Sequence, residues 1–185
     1  MQILYETPLS CEQYVTQKDW LNATLSHCPN HPGGGCRFQR HGYYSRWTPY
    51  GDALIARYYC RDSHTTFSLL PVFFAAHMRG TLDEVEQVAV AMESDKSALE
   101  AARKARGAYR IEDSGMRRWA LRRKTRVHLC VLVVVTMFAD MFIDCVPLVT
   151  ELRRRLGTDH ALIEIRRLCA DHLQTLPVPV GFRPP

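Results

Sequence analysis

The chain has 185 residues, 46% of them apolar and 23% charged, and carries a formal charge of +5. This is too apolar for a disordered polypeptide and enough for a buried core, which suits a small stapled piece plus a helical one better than one large domain. The longest apolar run, Leu129 to Ala139, is bounded by His128 and Asp140; it falls well short of the roughly 20 residues that a bilayer-crossing helix needs, which excludes a membrane partner of that kind.

The opening residues Met1-Gln2-Ile3-Leu4-Tyr5-Glu6 lack the basic start and apolar stretch of a signal peptide. A cytoplasmic, reducing compartment is therefore expected, in which the seven cysteines act as metal ligands or small buried thiols rather than as disulfides. Ser10-Cys11-Glu12-Gln13 has the pattern of a capping box and predicts a helix to about Asn22, within an N-terminal segment 1–24.

Residues 25–72 carry the densest chemical signal. Cys28-Pro29-Asn30-His31-Pro32-Gly33-Gly34-Gly35-Cys36 is answered by Cys60-Arg61-Asp62-Ser63-His64. Thiolates and imidazoles are the ligands of structural Zn2+, and two such clusters can close one tetrahedral site that staples two turns together. Five residues compete for four places: Cys28, His31, Cys36, Cys60 and His64. Cys28-x2-His31 has knuckle spacing and the glycine run lets Cys36 reach the same point; the favoured set is Cys28, Cys36, Cys60 and His64, with His31 in reserve. Between the clusters, Cys36–Arg40 and Tyr43–Trp47 read as strands joined by a turn at His41-Gly42, and Leu54–Cys60 reads as a third strand after the turn signal Pro49–Asp52. Thr65–Pro71 then carries the chain across to the helices. The expectation is a three-stranded zinc ribbon whose Arg40, Arg46 and Arg57, set among aromatic residues, meet phosphates of a nucleic acid.

Beyond Gly80 the period becomes helical. Thr81-Leu82-Asp83-Glu84 caps a helix with Leu82, Val85, Val88, Ala89 and Met92 on one face, broken at Ser94-Asp95. Ser97 caps a short Ala-rich helix stopped by Gly107, and a third begins near Asp113-Ser114 with Met116, Trp119, Ala120 and Val127 inward. From Arg103 to Arg126 ten basic residues face two acids, Glu112 and Asp113, so this stretch holds +8 and the remainder is 5 − 8 = −3. Segment 80–126 thus reads as a helix-turn-helix-like trihelical bundle, with Arg117, Arg118, Arg122, Arg123, Lys124 and Arg126 as DNA contacts. Segment 127–176 reads as C-terminal helices. The first is apolar on all sides and suited to packing under the last helix or at a homodimer interface. A short helix stopped by Gly157 follows, then one capped by Thr158-Asp159 that buries Leu162, Ile165, Leu168, Cys169 and Leu173; residues 177–185 form a loose tail. The fold class expected overall is α+β, mostly α.

Motifs for catalysis are absent: there is no G-x-S-x-G, phosphate-cradling glycine loop or H-E-x-x-H. Asp140 and Asp144 lack a third distant acid and are read as capping, pairing or solvent-facing groups, so the chain is expected not to be an enzyme.

The ordered string Cys28-Pro29, His41-Gly42-x-Tyr44, Tyr59-Cys60, Thr66-Phe67-Ser68-Leu69-Leu70-Pro71 and Arg118-Trp119 resembles small bacterial zinc-ribbon proteins of mobile elements. These are similar in turn to the N-terminal DNA-binding parts of insertion-sequence transposases. The resemblance covers roughly residues 25–126. It departs from the family pattern in that the ligand pairs are not both C-x-x-C and no acidic catalytic domain follows. It implies DNA recognition without strand transfer, by an accessory or regulatory factor of a transposon-like element. The alternative is a zinc-ribbon interaction module that acts as a subunit or adaptor and docks on a transposase or another protein.

Overall fold

The computed structural model describes residues 1–94, 97–106 and 113–183, and within them four strands form one mixed sheet. Strand β1 (Gln2–Tyr5) lies parallel to β4 (Thr65–Pro71); β4 is antiparallel to β3 (Gly51–Cys60), and β3 to β2 (Phe38–Thr48), giving the order β1-β4-β3-β2. Six helices accompany it among the described residues: α1 (Cys11–Thr16), α2 (Leu82–Glu93), α3 (Ala98–Arg106), α4 (Asp113–Met137), α5 (Val149–Leu156) and α6 (Ala161–Leu168). The chain divides into two compact units, Met1–Phe74 and Ala75–Pro185. Asp95, Gly107, Arg110, Glu112 and the final two prolines, which figured in the sequence reading, lie outside the described residues.

This architecture corrects the expected fold class of a mostly helical protein with a three-stranded ribbon and a helix-turn-helix-like bundle. The sheet is four-stranded and mixed. His41-Gly42 does not reverse the chain. The pairing of β2 with β3 shifts register between Arg40 and Tyr43, and Gly42 takes a φ of 83° there, so one extra residue is absorbed as a bulge inside one long strand. The reversal occurs at Pro49-Tyr50, between the paired residues Thr48 and Gly51. Thr65–Pro71 continues the sheet instead of leaving it, and Gln2–Tyr5 adds a parallel edge that the sequence pattern did not suggest. The first helix is short. It has the expected capping box of Ser10 and Gln13 but ends at Thr16, followed by a 3-10 turn over Asp19–Leu21.

One face of the sheet buries Ala56, Tyr58, Cys60, Phe67 and Leu69 together with Ala23 and Cys28. Near the other end, Tyr14 of α1 is fully buried and donates its hydroxyl to the Leu54 carbonyl at 2.8 Å.

In the second unit α2, α3 and α4 share a cluster of Val88, Ala102, Met116 and Ala120, in which Val88, Met116 and Ala120 lie on the faces that the periodicity predicted, and Thr81 caps α2 with Glu84 reaching back. The cap expected of Thr158-Asp159 is replaced by one from a distant helix. Glu86 of α2, fully buried, accepts the Ala161 and Leu162 N–H groups of α6 at 3.1 and 2.8 Å and the Arg153 Nε–H of α5 at 2.6 Å. Two turns further on, Glu93 accepts the Val149 and Thr150 N–H groups at the start of α5, both at 2.9 Å. One helix thus supplies carboxylates to the positive N-termini of two others.

The segment read as a loose tail is packed. Val178, Val180 and Phe182 are buried, and fully buried Arg166 donates to the Pro179 and Val180 carbonyls at 2.6 and 2.8 Å. A Cβ on Gly181 would collide with the Leu176 backbone, so glycine is required for this close approach. Leu168, expected inside, is exposed.

Glu86→Ala leaves a guanidinium and two helix-end N–H groups without their acceptor. It is expected to lower the free energy of unfolding by about 3–5 kcal/mol, read as a fall in the urea midpoint. At the surface, the Asp83 carboxylate 2.8 Å from His160 raises the imidazole pKa above its ordinary 6.5. The small stabilisation from this exposed pair is complete below the unfolded value and fades as pH rises through the raised folded one. Asp83→Asn is expected to return the His160 NMR titration midpoint toward 6.5.

Candidate metal centre

The ligand-bearing turns are built from local hydrogen bonds and glycine geometry. The His31 N–H bonds the Cys28 carbonyl at 3.0 Å and the Gly34 N–H bonds that of His31 at 3.0 Å. Gly34 and Gly35, both at φ 79°, then swing the chain so that Cys36 returns to the turn. Cys60 ends β3, paired with Phe38 on one side and Thr65 on the other.

The result is a cluster of four. The ligand atoms of Cys28, His31, Cys36 and Cys60 all lie within 4.8 Å of one another, and His31 Nδ1 stands 3.4 Å from Cys28 Sγ and 3.5 Å from Cys60 Sγ. A tetrahedral ion with bonds of about 2.3 Å to sulfur and about 2.0–2.1 Å to nitrogen has a sulfur–nitrogen edge of about 3.5 Å. The separations fit a four-coordinate thiolate–imidazole site, with Nδ1 as the imidazole donor. Cys28 and Cys60 are buried, and Cys36 packs against the same apolar cluster, which shields the site from water on the sheet side.

His31 takes the place that the sequence reading favoured for His64. Successive strand residues point to opposite faces. His64 Nδ1 stands 3.3 Å from the hydroxyl of Tyr59, the neighbour of Cys60 on the opposite face. With φ at 49° in the turn before β4, it lines an open groove with Arg37, Tyr59, Arg61 and Asp62, away from the cluster.

The electrostatics of the three thiols differ. Hydrogen bonds from the Ser63 side chain, and from the backbone at Asp62 and Ser63, bring the Cys60 thiol down to about 6, whereas burial and the two neighbouring sulfurs push Cys36 up to about 11. Three sulfurs at this distance resist simultaneous ionisation unless a cation sits among them.

Around the ligands is a clamp that sequence reasoning missed. Asp62 accepts the Arg37 backbone N–H at 2.6 Å and the Arg37 guanidinium at 2.8 and 3.1 Å. Those bonds, the backbone one foremost, hold its carboxyl below the usual range. Asn30 donates to Ser63 at 3.2 Å and to Thr65 at 3.3 Å. An Arg next to Cys36 and an Asp two residues after Cys60 were the available sequence signal. Of the remaining cysteines, Cys130, Cys145 and Cys169 are buried as expected, while Cys11 is half-buried.

The arginines expected to touch DNA fall into different environments. Arg40 donates to the Trp20 carbonyl at 3.0 Å and lies over the Tyr43 ring; Arg46 lies over Phe74, and Arg57 is half-buried on β3. Arg123 is buried, donates to the Arg79 carbonyl at 2.8 Å and stacks on Trp119 at 3.8 Å, so it holds α4 in place and is withdrawn from the surface. Arg117, Arg118 and Arg122 are exposed, and Lys124 and Arg126 half-exposed. No described helix is long and apolar enough to cross a membrane. No protein-family model, curated protein or solved structure matches the chain.

Native mass measurement is expected to give one metal ion per chain. Cys60→Ser and His31→Ala should abolish it, and His64→Ala should retain it in full, the opposite ranking from the one that sequence spacing favours.

Proposed function

We propose that the protein is a non-enzymatic nucleic-acid-binding protein whose N-terminal unit is held by structural Zn2+ and whose second unit supplies the cationic contact surface. Three thiolates and one imidazole form the donor set that zinc favours in closed structural sites, with no coordination position left for a substrate.

The observation that carries the reading is the state of the arginines. Five arginines elsewhere are paired with carboxylates: Arg37 with Asp62, Arg153 with Glu86, Arg154 and Arg155 with Glu151, and Arg167 with Glu164. Along α4, Arg117, Arg118, Arg122, Lys124 and Arg126 have no carboxylate partner among the described residues. Five unneutralised cations within three helical turns make a field suited to a phosphate backbone, and guanidinium forks grip phosphate oxygens in pairs. DNA is the partner inferred. The narrower role of accessory factor to a transposon-like element is supported by the motif string of residues 25–126 alone. A second reading, a protein-interaction subunit, is favoured by the exposed apolar side chains farther along the same helix.

Fluorescence anisotropy with a duplex of arbitrary sequence should show affinity falling steeply with salt. The triple variant Arg117→Ala, Lys124→Ala, Arg126→Ala should reduce the magnitude of the log–log salt slope by about 3, close to one per cation removed. A slope unchanged in that variant sinks the reading.

A further inference from the structure

We infer that a second copy of this chain docks on α4, antiparallel to the first, and that the helix carries a self-complementary code for this pairing. The code has three parts.

Its middle is apolar. Leu121, Leu129, Leu132 and Met137 of α4 are exposed, as are Met141, Ile143 and Val146 just beyond it, with Leu129 at 51% and Ile143 at 66%. At 3.6 residues per turn, Leu121, Thr125, Leu129, Leu132 and Thr136 fall along one stripe. The two threonines add no polar demand: Thr125 donates to the Leu121 carbonyl at 3.0 Å and Thr136 to that of Leu132 at 2.8 Å, so each hydroxyl is satisfied within the helix. The inward face of the helix is already used, by Val127, Cys130, Val131 and Val134. An exposed stripe beside a filled one marks a contact surface rather than a core residue set. Seven half-exposed apolar side chains supply several hundred Å2, the order of one partner's share of a standard interface, about 800 Å2.

Its ends are oppositely charged. Arg118 and Arg122 lie on the same stripe toward the N-terminus, while Asp140 and Asp144 are exposed just past the C-terminus; none of the four has an ion-pair partner among the described residues. The Leu129–Leu132 midpoint is about equally distant in sequence from both pairs. A two-fold axis there brings each copy's Arg118 and Arg122 opposite the other's Asp140 and Asp144, with apolar side chains between. Such an interface is isologous and closes at two copies. The carboxylates also select against the other occupant of a basic amphipathic helix, an anionic membrane, against which Asp140 and Asp144 would be pressed. In the dimer Arg117, Lys124 and Arg126 stay on the flanks.

Sedimentation of the full-length metal-loaded protein, without nucleic acid, tests this. The protein is expected to sediment as a reversible dimer. Leu129→Lys with Leu132→Lys should weaken dimerisation at least tenfold while leaving helix content by circular dichroism and metal content unchanged. Arg118→Asp with Arg122→Asp should weaken it similarly, and so should Asp140→Arg with Asp144→Arg. Equal amounts of the two charge-reversed proteins, each reversed at one end, test the pairing across chains: one then carries acids at both ends and the other bases at both ends, so a mixed dimer has opposite signs at both contacts and mixing should restore dimerisation, whereas a mixture that stays monomeric overturns the inference. The quadruple variant carrying both reversals restores opposite signs at both ends and should recover the dimer. A monomer at about 100 μM, well above the weak end of specific association, overturns the inference. So does a dimer indifferent to the leucine changes, a quadruple variant that stays monomeric, or a monomer that binds anionic phosphatidylserine vesicles through the same leucines.

Discussion

The convergence of three sulfurs and one imidazole nitrogen within 4.8 Å is the constraint on which the N-terminal unit depends. Between Ala23 and Phe38 no helix or multi-residue strand is present. This stretch is placed by its two ligand turns, by the Arg37–Asp62 and Asn30–Ser63 bonds, and by the packing of Leu25 and Cys36 on the sheet. Sulfur left thiolate in such a place repels its neighbours, and sulfur left protonated gives up the charge that a metal would reward. A cation held there would resolve both difficulties at once and staple the loop; the sheet beneath, with its continuous ladders and apolar face, supplies the platform.

The second unit solves the same problem with a carboxylate. Glu86 sits where helix ends and a guanidinium converge, as the metal ligands sit where two turns do. In each case a charge is taken from water and matched by several opposite partners, and in each case segments distant in sequence are brought together. Removing one partner is costly because the others remain buried. Arg166 makes the mirror arrangement, a buried cation satisfied by carbonyls of the C-terminal strap. Two of these three hubs, Glu86 and Arg166, are built from residue types that a hydropathy profile places outside.

How much of this could be read in the chain follows from the range of the interactions. Capping boxes at Ser10 and Thr81, the buried faces of α2 and of the first half of α4, and the stop at Gly157 are local, so spacing reveals them. The cysteines and both histidine candidates of the centre were legible too. The choice between His31 and His64 was not, because it turns on which face of a strand a turn residue follows, and that depends on where the strand ends. Gln2–Tyr5 has no alternation to announce a strand and is recruited by the parallel edge of β4. The tail reads as loose because Pro177 and Pro179 break any period, yet Arg166 and a required glycine fix it from outside the segment.

Charge counting shows the same limit and leads to the function. The +8 assigned to residues 103–126 treats every arginine as equivalent. In the fold they are not: Arg123 is consumed in holding α4 against Arg79 and Trp119, while Arg117, Arg118 and Arg122 stay exposed on the same helix. A cluster of exposed cations remains on the first half of α4; the outward face then turns apolar, and the acidic Asp140 and Asp144 follow just past the end of the helix. One helix and the turn that follows it therefore present three chemistries in order. Under the proposed reading, phosphate recognition and self-association would draw on overlapping but distinct side chains, the flanks for one and the stripe for the other, so salt should act on both without acting on the Leu129–Leu132 contact between them.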